Sequence, residues 1–412
     1  MTTEAAARTE GLARAAYGRL LAILAARDGD IETAEDCLAD AFAQALDTWP
    51  RAGIPANPDA WLLTVARNRQ RDVHRTAGYR LSDSIDEVSR ERVLATAGSI
   101  DPDDIPDRRL ALLFVCAHPA IDAAARTPLM LQVVLGVEVA RIADAFATPA
   151  TTMAQRLVRA KRRIREARIP FVVPGREQLA ARLPPVLEAI YGAYAIDFPL
   201  SGTEARGSLA GEAHFLATTL AELMPDEPEA LGLAALIALS LARRAAGSAG
   251  GSFIPLDEQS PASWDPALIA QGEAYLRRAS AHGQLGRFQL EAAIASAHCA
   301  RTPERPVDWE ALLALHSALV QLAPTLGVRI AHAAVVGRVH GAAAGVAALD
   351  AIDDAALPRF QPAWATRAHL LAEDGRTPEA GAAYARAIAL TTDAGARRWL
   401  EARRKRLAEG HA

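Results

Sequence analysis

Gln155, Arg159 and Arg162 fall on one side of a segment whose other side carries Met153, Leu157, Ala160 and Ile164 at helical spacing. Arg156 and Arg163 flank the polar side. A glutamine amide can pair with an adenine edge, and a guanidinium can fork onto guanine or grip a phosphate. Such side chains aimed away from an apolar stripe are suited to reading duplex DNA. Upstream, residues 139–146 read as a shorter amphipathic helix, and Thr148-Pro149 between the two predicts a turn with Thr148 and Pro149 at the N-cap. Two short helices, a tight turn and a basic second helix match a DNA-reading helix-turn-helix. The same unit also serves as plain helix packing in other contexts.

A second basic face lies nearer the N-terminus. On the helix starting at Trp61, the residues Trp61, Leu62, Val65, Ala66 and Val73 are expected inside, and Arg67, Gln70, Arg71 and His74 outside, with Thr64, Asn68 and Arg75 alongside. The preceding stretch 50–58, with three prolines, predicts a rigid loop. A basic face beside such a loop suits a DNA strand being opened, with a flipped base costing a few kcal/mol and phosphate contacts offsetting it. The charges equally fit a solvated face. Before the loop, Asp28-Gly29-Asp30 reads as a turn and Thr33 as the cap of a helix running to Trp49, which displays Glu35, Asp36 and Asp40. Acids near a helix start are favourable in any case.

These elements sit in a chain of 412 residues, long enough for two or three domains, with 51% hydrophobic residues and a net charge of −4. The balance excludes a uniformly basic nucleic-acid coat, but the charges are blocked. Positions 150–170 hold seven Arg or Lys against one acid, 67–80 hold five Arg against one Asp, and 28–47 hold seven acids and no base. The three cysteines, Cys37, Cys116 and Cys299, are far apart, with no metal or disulfide spacing, which fits a reducing compartment. No signal-peptide pattern opens the chain. The longest apolar run, 231–242, is too short to span a bilayer and ends in Arg243-Arg244. A cytoplasmic protein without membrane partners is expected.

Ala, Leu and Arg dominate with a 3.6-residue apolar period, so the fold class is all-α. Residues 5–79 form a first helical block, 80–107 an acidic linker, 108–170 the helix-turn-helix block, and 171–412 about ten further helices. Near the end Ala331-His332 recurs as Ala368-His369, Ala344-Gly345 as Ala380-Gly381 and Ala351-Ile352 as Ala387-Ile388. This period of roughly 36 residues is close to that of tetratricopeptide (TPR) helix pairs, with a plain bundle as the other option. The unit 365–390 places Gly375 at its turn.

Several ordered motifs then resemble one family. Residues 34–46, 57–69, Asp72 and Arg75 are similar to the promoter-melting domain of bacterial sigma factors, and 139–165 to their promoter-recognition region four. The short linker between them resembles the extracytoplasmic-function group. Runs at 114–120, 152–161, 168–171 and 223–229, continued at 264–265, 290–294 and 341–345, resemble its subgroup with a long C-terminal helical extension. The resemblance implies two small helical sigma domains followed by a TPR-like helical-repeat domain. It implies core RNA polymerase and promoter DNA as partners, with a regulatory protein or ligand at the C-terminal domain. Polymerase contacts would come from Glu35, Asp36, Asp40 and Phe42. The melting element would be met by Asn57, Arg67, Asn68, Arg71 and Arg75. The upstream element would be met by Thr152, Gln155, Arg156, Arg159 and Arg162. Three departures stand out: Ala39 where the family usually has Gln, Arg141 where it usually has Glu, and an unmatched run at 190–198.

The reading is a sigma factor that performs no chemistry and needs neither metal nor cofactor. No glycine-rich phosphate loop, catalytic triad or paired-histidine motif is present. Two other readings remain. A helix-turn-helix regulator with a helical protein-interaction domain would bind DNA without polymerase, which the acidic helix argues against. A hydrolase or transferase in the C-terminal helices lacks an acid/base constellation.

Overall fold

The computed structural model describes residues 16–80, 105–197, 209–247, 253–302 and 306–410, the side chains of 76–80, 105–107, 176 and 197 excepted. The acidic linker expected over 80–107 falls almost wholly outside them, as do residues 5–15 of the first block. The described residues form eighteen α-helices and no strand, so the chain is all-α as its periodicity predicts. They group into two units, the described residues up to 219 and those from 220 on.

The first unit begins with α1 (16–28), α2 (Ile31–Ala52) and α3 (Pro58–Arg80). Gly29, at φ +68°, makes the turn between α1 and α2, a backbone position that glycine tolerates best. The cap of α2 differs from expectation. Asp30 is the N-cap: its carboxylate accepts the Thr33 backbone N–H at 3.2 Å and the Thr33 hydroxyl at 2.9 Å. Asp thus does what Thr33 was expected to do, because Ile31 is already inside the helix and buried. The helix also runs through Pro50 to Ala52, and α3 starts at Pro58, so the loop expected over 50–58 shrinks to 53–57. A single Pro near the last turn forfeits one backbone bond, and the edge-on pair Trp49–Trp61, 5.5 Å between ring centres, holds the two helix ends together.

The unit continues through α4 (Ile105–Cys116), α5 (Ala123–Val133), α6 (Val139–Ala145), α7 (Ala150–Glu166) and α8 (Arg176–Asp197). Leu110 to Cys116 are buried at every position, so this stretch of α4 is central and has no solvent face. The turn 146–149 joins α6 to α7, with Ala147 at φ +46°. Pro149 sits at the N-cap of α7 without a side-chain cap, and the Thr148 hydroxyl donates back to Phe146 O at 3.0 Å. Thr148 therefore closes the turn instead of capping the helix. Helix α8 packs on α4 and α5 through Leu183, Val186, Leu187, Ile190 and Tyr194. Arg182 donates to Phe114 O and Arg141 to Ile196 O, at 3.4 and 3.2 Å. The unusual Arg141 and the unmatched run thus meet each other. Arg109 pairs with Glu212 of α9 (Leu209–Leu223) and stacks on Phe215.

The second unit is built on α10 (Pro228–Ala242), which contains the chain's longest apolar run and is buried on nearly every side. Helices α11 (Pro266–Ser280) and α12 (Arg287–Cys299) enclose it. Glu229 of α10 accepts the Phe288 and Gln289 N–H groups at 3.0 and 3.2 Å, and so caps α12, whose own N-cap is Gly286. A Cβ at Gly286 would lie 2.1 Å from that carboxyl carbon. Beyond come α13 (Trp309–Leu322), α14 (Leu326–His340), α15 (Ala342–Asp350), α16 (Gln361–Glu373), α17 (Thr377–Leu390) and α18 (Ala394–Ala408), each packed on the next. The repeated residues fall on two successive hairpins, α14–α15 and α16–α17, with Gly375 in the second turn at φ +74°.

Candidate nucleic-acid interface

Helix α7 has the two faces its sequence implies. Met153, Leu157, Ala160 and Ile164 are buried, while Thr152, Gln155, Arg159 and Arg162 are exposed and Arg156 is half-buried. The exposed cations are lightly tethered. Arg159 Nε donates to Gln155 O at 3.4 Å, Arg162 pairs with Glu166 at 3.1 Å, and Arg156 reaches Ala124 O at 3.4 Å. Such weak surface contacts cost little to exchange for a phosphate or a base edge.

A third face was not expected. Lys161 is buried and its ammonium donates to Glu35 Oε2 at 2.6 Å, with the two side chains only 8% and 19% exposed. One turn on, Arg165 reaches Asp30 and Glu32 at 3.4 and 3.2 Å. The acidic start of α2 is thus paired with one row of the basic α7. Glu35, expected on an open face, is half-buried and also accepts the Tyr17 hydroxyl at 3.3 Å. Burial and the Glu35 charge push the Tyr17 phenol far above its usual range. The signal was present as an acidic block and a basic block, but which acid meets which base depends on the packing of two distant helices.

Asp36 and Asp40 remain exposed on α2, beside Ala39, and Phe42 is half-buried. Asp40 pairs with Arg69 of α3 at 2.8 Å.

On α3 the inner and outer sets need two corrections. Gln70, expected outside, is fully buried and donates to Leu24 O at 3.2 Å. Val73, expected inside, is 39% exposed. The helix starts a turn earlier than expected and its inner stripe ends on an amide that satisfies the α1 backbone. Leu62 and Ala66 are buried, with Trp61 and Val65 half-buried. Of the melting-type residues, Asn57 accepts the Ala60 N–H at 3.0 Å and so caps α3. Asn68 accepts from Arg71, and Arg75 pairs with Asp72 at 2.6 Å. Arg67 is half-buried, and burial with Arg27, Arg108 and Arg71 nearby lowers its pKa. Positive charges around a half-buried guanidinium favour an anion there, with Arg27 itself 3.8 Å from Asp28. His74 faces Asp28 at 2.6 Å.

Comparison with known proteins supplies the context for this geometry. The model of sigma-70 region 2 matches residues 12–79, the part built from α1 to α3. A family of unknown function (DUF6596) matches residues 182–280. An uncharacterized protein of Rhizobium meliloti (strain 1021) is 34% identical over 371 residues, covering 89% of this chain and 88% of its own length. No solved structure matches. A sigma-70 region 2 followed by a helical DUF6596 segment fits a member of the sigma-70 family. The chain belongs to the same family as the Rhizobium meliloti protein. Among the described residues no helix is long and apolar enough to cross a membrane.

Proposed function

We propose that this chain is a sigma factor of the extracytoplasmic-function type with a TPR-like C-terminal extension. It binds core RNA polymerase, reads two promoter elements and helps open the DNA without catalysing a reaction, in the cytoplasm. The observation that carries this is the coincidence of the region 2 match with an acidic α2 face and a basic α3 face in one compact block. Asp36, Asp40 and Phe42 are the polymerase contacts on offer. Glu35 joins them only when its pair with Lys161 opens. Arg67, Asn68, Arg71 and Arg75 face the melted element, with Asn57 positioning their helix. Helices α6 and α7 form a helix-turn-helix, and Thr152, Gln155, Arg156, Arg159 and Arg162 meet the upstream element. The C-terminal hairpins serve as a regulatory module.

Reversing Asp36→Arg and Asp40→Arg together tests this directly. The folded double variant should fail to co-elute with core polymerase and should not support promoter-dependent transcription in vitro, while still binding duplex DNA. Normal co-elution would refute the polymerase assignment and favour a regulator that acts on DNA alone.

A further inference from the structure

The second unit contains a cavity of about 260 Å³ to which the sigma-factor reading gives no role. Leu256, Val307, Val335 and Leu370 supply apolar walls, and Trp309 lines it from the start of α13. Its polar groups converge from segments far apart in sequence, a pattern typical of ligand sites.

The charges around it are unequally satisfied. Arg338 lies over the Trp309 ring at 5.4 Å and spans Asp257 at 3.4 Å and Glu373 at 3.3 Å, so one guanidinium answers both carboxylates. His369 adds a contact to Glu373 at 3.3 Å. Arg301 is different. Its guanidinium stacks on Trp264 at 4.9 Å and gives a hydrogen bond to Gln259 O, but among the described residues no carboxylate lies within ion-pair distance. Five N–H donors are available to an arginine, and most of these are unused. His298 stands edge-on to Trp309, 6.1 Å between ring centres, with no hydrogen-bond partner among the described residues. Burial, with Arg243, His316 and Arg301 nearby, lowers its pKa to about 4 against the opposing pull of Asp257, so near neutral pH it offers one donor and one acceptor.

We propose that this cavity binds a small aromatic carboxylic acid, its carboxylate on Arg301 and its ring among Trp309, Val335 and Leu370. A carboxylate matches the planar guanidinium fork and brings a negative charge to a guanidinium on which Asp257 acts only from beyond ion-pair distance, with the Arg243 cation also nearby. A phosphate dianion would add a second charge close to Asp257 and Glu373. A cationic ligand would compete with Arg338 for both acids and meet Arg301. The site is independent of the polymerase and promoter assignments, and its failure would leave them standing.

Isothermal titration of the full-length protein tests it with benzoate, phenylacetate and indole-3-acetate, against benzylamine and inorganic phosphate. At least one of the carboxylates should bind saturably at one per chain, with benzylamine and phosphate giving no binding. Arg301→Gln should weaken that binding by about tenfold or more. Ala334→Trp, which fills the cavity without changing charge, should abolish it, and Arg404→Gln on the exposed side of α18 should leave it unchanged. Circular dichroism would verify that each variant retains its helix content. Absence of binding by all three carboxylates, or equal binding of benzylamine or phosphate, would overturn the proposal on the wild-type protein alone. Unaltered carboxylate binding by folded Arg301→Gln or Ala334→Trp would do the same.

Discussion

Lys161 and Glu35 form a largely buried ion pair between α7 and α2. An ammonium at 8% exposure needs its partner, and removing one side leaves a charge in a poorly solvated place. Lys161→Met should therefore cost about 2–3 kcal/mol, while Glu35→Gln with Lys161→Met should recover part of that loss. A double-mutant cycle from thermal melting measures the coupling, and additive effects would show that the pair contributes nothing. Gln155 and Arg159 lie on the opposite side of the same helix and have no packing role. Arg159→Ala should weaken upstream-element binding by about 1–3 kcal/mol, the worth of a good base contact. Polymerase binding should be unchanged, a split that parallel shift and pull-down assays can read.

Among the helices, the start of α12 illustrates stabilisation from a distance. Gly286 offers no capping side chain, and Glu229 of α10 supplies the acceptor for two backbone N–H groups. Glu229→Ala should cost about 1–2 kcal/mol, the usual worth of a lost cap, and should raise hydrogen exchange at Phe288 and Gln289 first. Unchanged exchange at those two amides would mean that water serves equally well. Helices α14 and α15 meet by a related device. A Cβ on Gly345 would lie 2.8 Å from the Gly337 Cα and 3.0 Å from Ala333 O, so that crossing requires glycine at 345.

Stability of the complete chain should depend on pH through its buried imidazoles. His316 is 7% exposed, and burial with His332 nearby lowers its pKa to about 4. His298 is lowered similarly, by burial and then by Arg243, His316 and Arg301, against Asp257. Both are folded-state values below the unfolded reference of about 6.5, so between the two the unfolded chain binds more protons. Their contribution is complete above about pH 6.5 and is lost as pH falls towards 4. For His316 the loss near pH 5.5 should be about 1 kcal/mol. Replacing His316 with Gln should reduce the fall in Tm between neutral and mildly acidic buffer. An identical fall would assign the acid sensitivity to carboxylates alone.

Local patterns in the sequence were sufficient for the helical class, the turn at Gly29, the two faces of α7 and the exposed placement of Gln155 and Arg159. Each of these depends on residues within a few turns of one another, where period and turn chemistry act directly. The apolar run at 231–242 was legible as too short for a membrane, though not as the helix around which the second unit packs. What needed the tertiary structure were the pairings between distant segments. Gln70 is buried with its amide donating to Leu24 O of α1, a partner that offsets its polar type. Glu35 is drawn from an open acidic face into a pair with a lysine 126 positions away. The cap of α12 and the seat of Arg301 on Trp264 likewise depend on which segments become neighbours. Helical periodicity specifies which side of a helix is apolar, but a buried polar group is decided by the partner that satisfies it, and that partner is chosen only when the chain packs.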